Sequence, residues 1–310
     1  MRTAFLFPGQ GSQYAGMGKD LYHSFPEVRE LYDRASAILG FDLADLSFNG
    51  PSDLLTRTDN AQPAIYTHSM ALSHLLKRAG AEADIVAGHS LGEYSALAYS
   101  EALSFEEGLR LVRRRGELML DAGGYAPGGM AAVIGLDAEA VTELCRLCTE
   151  QGEVYPANFN APGQIVISGR QQGIERAAEL AAGMGARRVI PLEVSGAFHT
   201  PFMVPAAAEL EKLLTPLDNA AIPVVTNAEA IARIDKTDLK AALVKQIAGP
   251  VRWEESMRYL LQQGVTVFVE VGPGKVLTGL MKRTEKGVNT AFTDDATGLA
   301  SVLDFLKAGG

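Results

Sequence analysis

Cysteine is almost missing from this sequence, with Cys145 and Cys148 the only two in 310 residues. Their C-x-x-C spacing falls inside a helical pattern. No second pair is present to complete a zinc site, and no redox motif surrounds them, so two incidental thiols are expected. Long apolar runs are also lacking: none approaches the roughly 20 residues that cross a bilayer. The opening Met1–Pro8 is too short for the apolar region of a signal peptide and enters a strand directly. We therefore expect a cytoplasmic protein without a membrane partner. Positive charge is in deficit, with 28 Lys and Arg against 37 Asp and Glu. That balance speaks against a nucleic-acid partner held by broad electrostatics. Histidine is scarce too, so imidazole chemistry is restricted to His23, His68, His74, His89 and His199.

What remains is ordinary globular composition, 47% hydrophobic and 21% charged, in a chain long enough for a large core in one or two domains. Its most informative stretch is Ile85-Val86-Ala87-Gly88-His89-Ser90-Leu91-Gly92-Glu93-Tyr94. A short apolar strand turns through Gly-x-Ser-x-Gly into an alanine-rich helix. In this nucleophile-elbow pattern the serine sits on a strained turn with its hydroxyl exposed. Gly88 and Gly92 suit a turn that packs too closely for side chains, or one that needs positive φ. N–H groups opening the new helix can hold a developing oxyanion. The same pentapeptide also suits a plain strand-to-helix turn capped by serine, so context must decide.

Residues 3–7 read as a first buried strand, followed by the glycine-rich loop Pro8-Gly9-Gln10-Gly11-Ser12-Gln13. A phosphate cradle fails on detail: Tyr14 stands where a third glycine is needed, and Gly18-Lys19 is followed by Asp20. The loop more naturally carries polar groups, Gln10 above all, over a strand end. Residues 20–80 read as mainly helical, with His68 and His74 as structural or surface residues. The next helix opens with Ser104-Phe105-Glu106-Glu107, an S-x-x-E capping box. At 100° per residue, Gly108, Leu111, Val112, Leu118, Met119 and Ala122 share one face, with Arg115 in the middle of it. Arg113 and Arg114 fall outside that arc and read as solvated. A buried guanidinium needs an anionic partner, either a structural Asp or Glu or a carboxylate on a substrate.

After a Gly/Pro-rich break at 121–129, the order β-α-β-β-α-β marks a ferredoxin-like unit inserted between about residues 126 and 194. The main pattern then resumes through Val194-Ser195-Gly196-Ala197-Phe198-His199, with Thr200 as helix N-cap and Pro201 as first helical residue. Strands at 222–226, 265–271 and 290–293 alternate with helices at 237–247, 254–263 and 299–306. This alternation predicts an α/β fold with a mostly parallel sheet covered on both faces.

Acyl transfer through serine needs a nucleophile, a base, a group that orients the base, and oxyanion donors. Ser90 is the candidate nucleophile. His199 is the candidate base, because elbow geometry points His89 away from its neighbour. Leu91 N–H and a loop N–H near Gln10 are the candidate oxyanion donors. No acidic residue stands out as the orienting group, and that slot stays open.

Six segments, in order along nearly the whole chain, resemble the malonyl-CoA:acyl-carrier-protein transacylases, the discrete acyltransferases of bacterial type II fatty-acid synthesis. They are Phe7-Pro8-Gly9-Gln10-Gly11-Ser12-Gln13, Gly88-His89-Ser90-Leu91-Gly92-Glu93-Tyr94, Arg115, Asn158-Phe159-Asn160 before Pro162-Gly163-Gln164, Gly196-Ala197-Phe198-His199, and Gln246 before Pro250-Val251-x-Trp253 with the later Val271-Gly272-Pro273-Gly274-Lys275. The resemblance implies an α/β-hydrolase-like catalytic domain of residues 1–125 and 195–310, with a ferredoxin-like (βαββαβ) subdomain at 126–194. It implies catalysis by Ser90 and His199, with the Gln246 main-chain carbonyl orienting the base. It also implies an oxyanion hole from Gln10 and Leu91, and Arg115 binding the malonyl carboxylate. Malonyl-CoA and acyl carrier protein are the implied partners of a monomer, with no metal and no tightly bound cofactor. Phe198 resembles the malonyl-selective form, whereas Thr200-Pro201-Phe202 departs from the family, whose members often carry Ser and Leu there. An acidic carrier would suit Arg187, Arg188, Lys275, Lys282 or Arg283. The alternatives are a stand-alone acyltransferase of polyketide synthesis and a serine esterase or thioesterase.

Overall fold

Alternate residues of the central strands face opposite sides of one sheet, and each side has its own apolar core. Phe5, Phe7, Val86, Val267 and Val269 pack into the larger core. Ala4, Leu6, Ile85, Ala87 and Phe268 pack into the smaller one. A strand covered on both faces must be apolar throughout, which is why these segments read as unbroken hydrophobic runs. The structure is a computed structural model and describes residues 2–125, 127–194 and 196–309. Its strands are β1 (Thr3–Phe7), β2 (Ile85–Gly88), β3 (Gly128–Ile134), β4 (Val154–Ala161), β5 (Gln164–Arg170), β6 (Arg188–Pro191), β7 (Val224–Val225), β8 (Ala232–Arg233), β9 (Val267–Val271) and β10 (Asn289–Thr293).

The main sheet has the order β10-β9-β1-β2-β7-β8. It is parallel throughout except at its edge, where β8 runs antiparallel to β7. This is the α/β fold expected. The pairing matters for the site, because Phe7 lies opposite Gly88 and Ala87 opposite Val225. The loops leaving β1, β2 and β7 therefore emerge side by side at one edge of the sheet, where open α/β sheets bind ligands.

Strands β3 to β6 form a second, antiparallel sheet of order β4-β5-β3-β6 with helices Ala138–Cys148 and Gln171–Gly183 against it. Ala131, Val133, Val141, Leu144, Ile165 and Ile174 give it a separate core. Cys145 and Cys148 lie in that core, where burial pushes the Cys145 thiol up to about 12. The expected boundaries at residues 126 and 195 fall on residues outside the described ones. Hydrogen bonds to Val251 and His89 tether this unit to the part of the chain that carries the main sheet. The Phe159 N–H donates to the Val251 carbonyl, and Val251 N–H donates to Ala157, each at 2.9 Å. His89 Nε2 meets Asn160 Oδ1 at 2.8 Å.

Three local details differ from expectation. Thr200 does precede a helical turn at Pro201–Met203, but its hydroxyl donates to the Ala197 carbonyl at 2.6 Å and caps no helical N–H. The helix Val276–Thr284 was not foreseen, because its start is hidden behind the glycine-rich turn. Its first N–H groups are held by Glu270, whose two oxygens accept from Leu277 and Thr278 at 2.9 and 2.7 Å. That accounts for a carboxylate on a wholly buried strand. Arg113 is not merely solvated. Pro63 has no N–H and leaves the Asp59 carbonyl free inside the helix Thr58–Arg78, and Arg113 Nη1 donates to that carbonyl at 2.8 Å.

Gly88 and Gly92 are required for closeness alone. A Cβ on Gly88 would meet the Gly92 carbonyl, and one on Gly92 would meet the Phe7 carbonyl. Both obstacles are backbone and cannot rotate away. We expect Gly92→Ala to destabilise the fold by about 3 kcal/mol, read by chemical denaturation; a loss within about 0.5 kcal/mol of zero would show that the turn can widen.

Candidate active site

Ser90 follows β2 and precedes the helix Gly92–Tyr99. Positive φ at this turn falls on the serine itself, at 51°, and on neither flanking glycine. Such a conformation is costly for a residue with a Cβ and persists only when its surroundings over-determine it. Asn227 supplies much of that hold. Its Oδ1 accepts from Ser90 N–H at 2.7 Å, and its Nδ2 donates to the Gly88 carbonyl at 2.7 Å.

His199 is also held at positive φ, 60°, and is buried. Its Nδ1 lies 2.8 Å from the Gln246 carbonyl and its Nε2 lies 2.8 Å from Ser90 Oγ. A carbonyl can only accept, so Nδ1 carries the proton and Nε2 is left to accept from the serine hydroxyl. Burial, then the nearby Arg115 charge, lowers the imidazole to about 3. The ring is therefore neutral in the free protein at ordinary pH, which is the state a general base must start from.

Arg115 lies on the helix Phe105–Tyr125 and is 1% exposed. Sequence reasoning left a structural carboxylate or a substrate as its partner. Among the described residues no carboxylate lies within ion-pair distance of it. Its hydrogen-bond acceptors are all neutral: Nη1 donates to Gln62 Oε1 at 2.9 Å, and Nη2 to Gln246 Oε1 at 2.9 Å and to Ser90 Oγ at 3.0 Å. Tyr94 lies against the guanidinium, with its ring centre 5.4 Å from the central carbon. Arg115 Nε is buried and has no partner among the described residues. A positive charge beside a serine oxygen, held by amides and one unused donor, is built to receive an anion.

The Gln10 and Leu91 N–H groups are both unengaged among the described residues. Leu91 stands at the N-terminus of the helix Gly92–Tyr99, and Gln10 on the loop after β1, beside it across the β1–β2 pairing. The Gln10 side chain donates to Thr58 Oγ1 at 3.1 Å, which fixes that loop. These groups surround a cavity of about 460 Å³ with Gln10, Ser90, Arg115, Met119 and His199 on the main-sheet side. Met130, Asn158, Asn160, Gln164 and Val166 close it from the small antiparallel unit.

All six residues singled out from the sequence thus converge on this one cleft or its immediate wall. His23 and His74 do not, and His68 is buried elsewhere, with Nε2 2.9 Å from the Asp294 carbonyl. Sequence reasoning missed Gln62, Asn227 and the side-chain role of Gln246. Asn227 was open to discovery, since it sits just past the C-terminal end of a parallel strand.

Residues 4–300 match the acyl transferase domain family. The chain belongs to that family. This acyl transferase chain is 47% identical over 309 residues to a malonyl CoA-acyl carrier protein transacylase of Bacillus subtilis, covering 99% of the chain and 98% of the relative. Its fold matches an acyl-carrier-protein S-malonyltransferase from Burkholderia pseudomallei with a TM-score of 0.94 at 42% identity, covering 98% and 100% of the two chains. It also matches, at TM-score 0.94 and 39% identity over 98% and 99%, a malonyl-transacylase solved with a type II PKS acyl-carrier protein.

The depressed imidazole makes one behaviour of the acyl transferase testable without substrate. A histidine lowered from 6.5 to about 3 stays uncharged while an exposed one protonates. Ring 15N shifts of His199 should accordingly remain those of the neutral Nδ1–H form at pH 5, and a protonated ring there would contradict the geometry. The same sign means that His199 favours folding above pH 6.5 and withdraws that support as pH falls towards 3, because the unfolded chain takes the proton first.

Proposed function

We propose that this chain transfers a malonyl group from malonyl-CoA to the phosphopantetheine thiol of an acyl carrier protein, through a malonyl ester on Ser90. One observation carries the reading: a buried guanidinium with only neutral partners, 3.0 Å from the oxygen of the elbow serine. Acetyl and longer alkyl groups offer nothing to such a charge. An acyl group ending in a carboxylate neutralises it.

In this reading Ser90 Oγ attacks the thioester carbonyl while His199 Nε2 takes the hydroxyl proton, a step worth about 10²–10⁴-fold. The Gln246 carbonyl keeps the ring in the accepting tautomer. The tetrahedral oxygen takes hydrogen bonds from Gln10 and Leu91 N–H, each worth on the order of 3 kcal/mol. The C–S bond breaks, and the coenzyme thiolate leaves with the proton from His199. The carrier thiol then enters the emptied cleft, gives its proton to His199 and attacks the malonyl ester, restoring Ser90. Such a two-stage exchange gives ping-pong kinetics. No step calls on a metal or a bound cofactor. In this reading the enzyme works as a monomer, in the cytoplasm.

Arg115→Ala should slow malonyl-serine formation by about 3 kcal/mol, a factor on the order of a hundred, while acetyl-serine formation changes less than tenfold. Intact mass spectrometry reads both adducts, with Ser90→Ala as the blank; equal losses for the two acyl groups would remove the carboxylate role of Arg115.

For the carrier, Arg187, Arg188, Lys275, Lys282 and Arg283 are all exposed, and none forms an ion pair among the described residues. Charge reversal at Lys282 and Arg283 should raise the KM for carrier severalfold and leave that for malonyl-CoA unchanged. Running this assay with fatty-acid and polyketide carriers also decides between the two pathways, the second of which is raised by the relative solved with a type II PKS carrier.

A further inference from the structure

Glu93 is a buried carboxylate for which the acyl-transfer steps have no use. It lies three residues past the nucleophile in the first turn of the helix Gly92–Tyr99, 1% exposed. Its Oε2 accepts from Gln246 Nε2 at 2.7 Å and from Asn227 N–H at 3.0 Å. These two partners also hold the nucleophile, the base and Arg115. Asn227 holds the Ser90 N–H and the Gly88 carbonyl. Gln246 holds His199 through its main chain and, through its side chain, Arg115 and the Ser90 carbonyl.

The Gln246 amide has to present the correct end to Arg115. Its Nε2 faces Glu93 Oε2 and the Ser90 carbonyl, 2.7 and 2.9 Å away. The two amide hydrogens are thereby both engaged, and Oε1 is left to accept from Arg115 Nη2. Removing the Glu93 acceptor would leave that amide hydrogen only Asn227 Oδ1, 3.5 Å away and already accepting from Ser90 N–H. The side chain would then move to satisfy it, drawing Oε1 away from the guanidinium. Arg115 has only neutral acceptors here, so losing one of them changes where its charge sits relative to Ser90 Oγ.

We propose that Glu93 is a positioning residue that fixes the Gln246 amide, and through it Arg115, and so sets the preference for carboxylate-bearing acyl groups. This rests on the malonyl reading given above. It assigns Glu93 an oxygen acceptor's duty: what matters is an acceptor at the Oε2 position, so glutamine can replace glutamate there and alanine cannot.

The experiment compares Ser90 acylation by malonyl-CoA and by acetyl-CoA, as second-order rates from intact mass, in the wild type, Glu93→Ala, Glu93→Gln and Glu93→Asp. Glu93→Ala should lower the malonyl-to-acetyl ratio at least tenfold. Glu93→Gln should restore the ratio to within threefold of wild type, and Glu93→Asp, whose carboxylate is drawn back by one methylene, should lower it at least threefold. Should Glu93→Ala fail to fold, Glu93→Asp carries the test, and an unchanged ratio there overturns the proposal. A parallel fall for both acyl groups in Glu93→Ala, or a ratio that Glu93→Gln does not restore, also overturns it. A wild-type enzyme that does not discriminate between the two acyl groups would instead sink the malonyl reading itself.

Discussion

A single guanidinium, placed out of water and next to a serine oxygen, sets the terms for the rest of this molecule. An isolated buried charge is destabilising by several kcal/mol unless hydrogen bonds and neighbouring dipoles compensate it. Here compensation comes from Gln62, Gln246 and the face of Tyr94, on three separate helices. None of these groups neutralises the charge. The fold thus keeps a cation in reserve at the reaction centre, and the helices that carry its partners have to pack closely enough to hold it.

The two residues that exchange the proton share a different constraint. Ser90 and His199 both have positive φ, a conformation most side chains avoid. Asn227 accepts the Ser90 N–H, and the Gln246 carbonyl holds the His199 ring. Nucleophile and base approach to 2.8 Å with the serine backbone held by Asn227 and the imidazole ring held by Gln246.

Much of this was legible in the sequence, for identifiable reasons. Strands covered on both faces leave unbroken apolar runs, and β1, β2 and β9 were found that way. Arg115 announced itself because one charge in the middle of an apolar arc violates the helical pattern. Ser90 was legible from glycine spacing, since close backbone approach admits no Cβ on either side. The supports were not legible, because their bonds join residues far apart along the chain, 53 positions from Gln62 to Arg115 and 131 from Arg115 to Gln246. No periodicity encodes such a contact. The helix Val276–Thr284 was hidden for a milder reason: its cap, Glu270, lies back on β9 and not in the turn before it.

The small antiparallel unit leaves the chain after the arginine-bearing helix and returns just before the histidine, and it walls one side of the cleft with Met130, Asn158, Gln164 and Val166. The electrostatics belong to one layer of the molecule and the opposite wall of the chamber to another. The two can drift independently: substitutions in the inserted layer can reshape the chamber for bulkier or slimmer cargo without disturbing the charged anchor, provided the Val251 and Asn160 tethers persist. Diversification of cargo size at constant chemistry is thereby built into the way the chain is threaded.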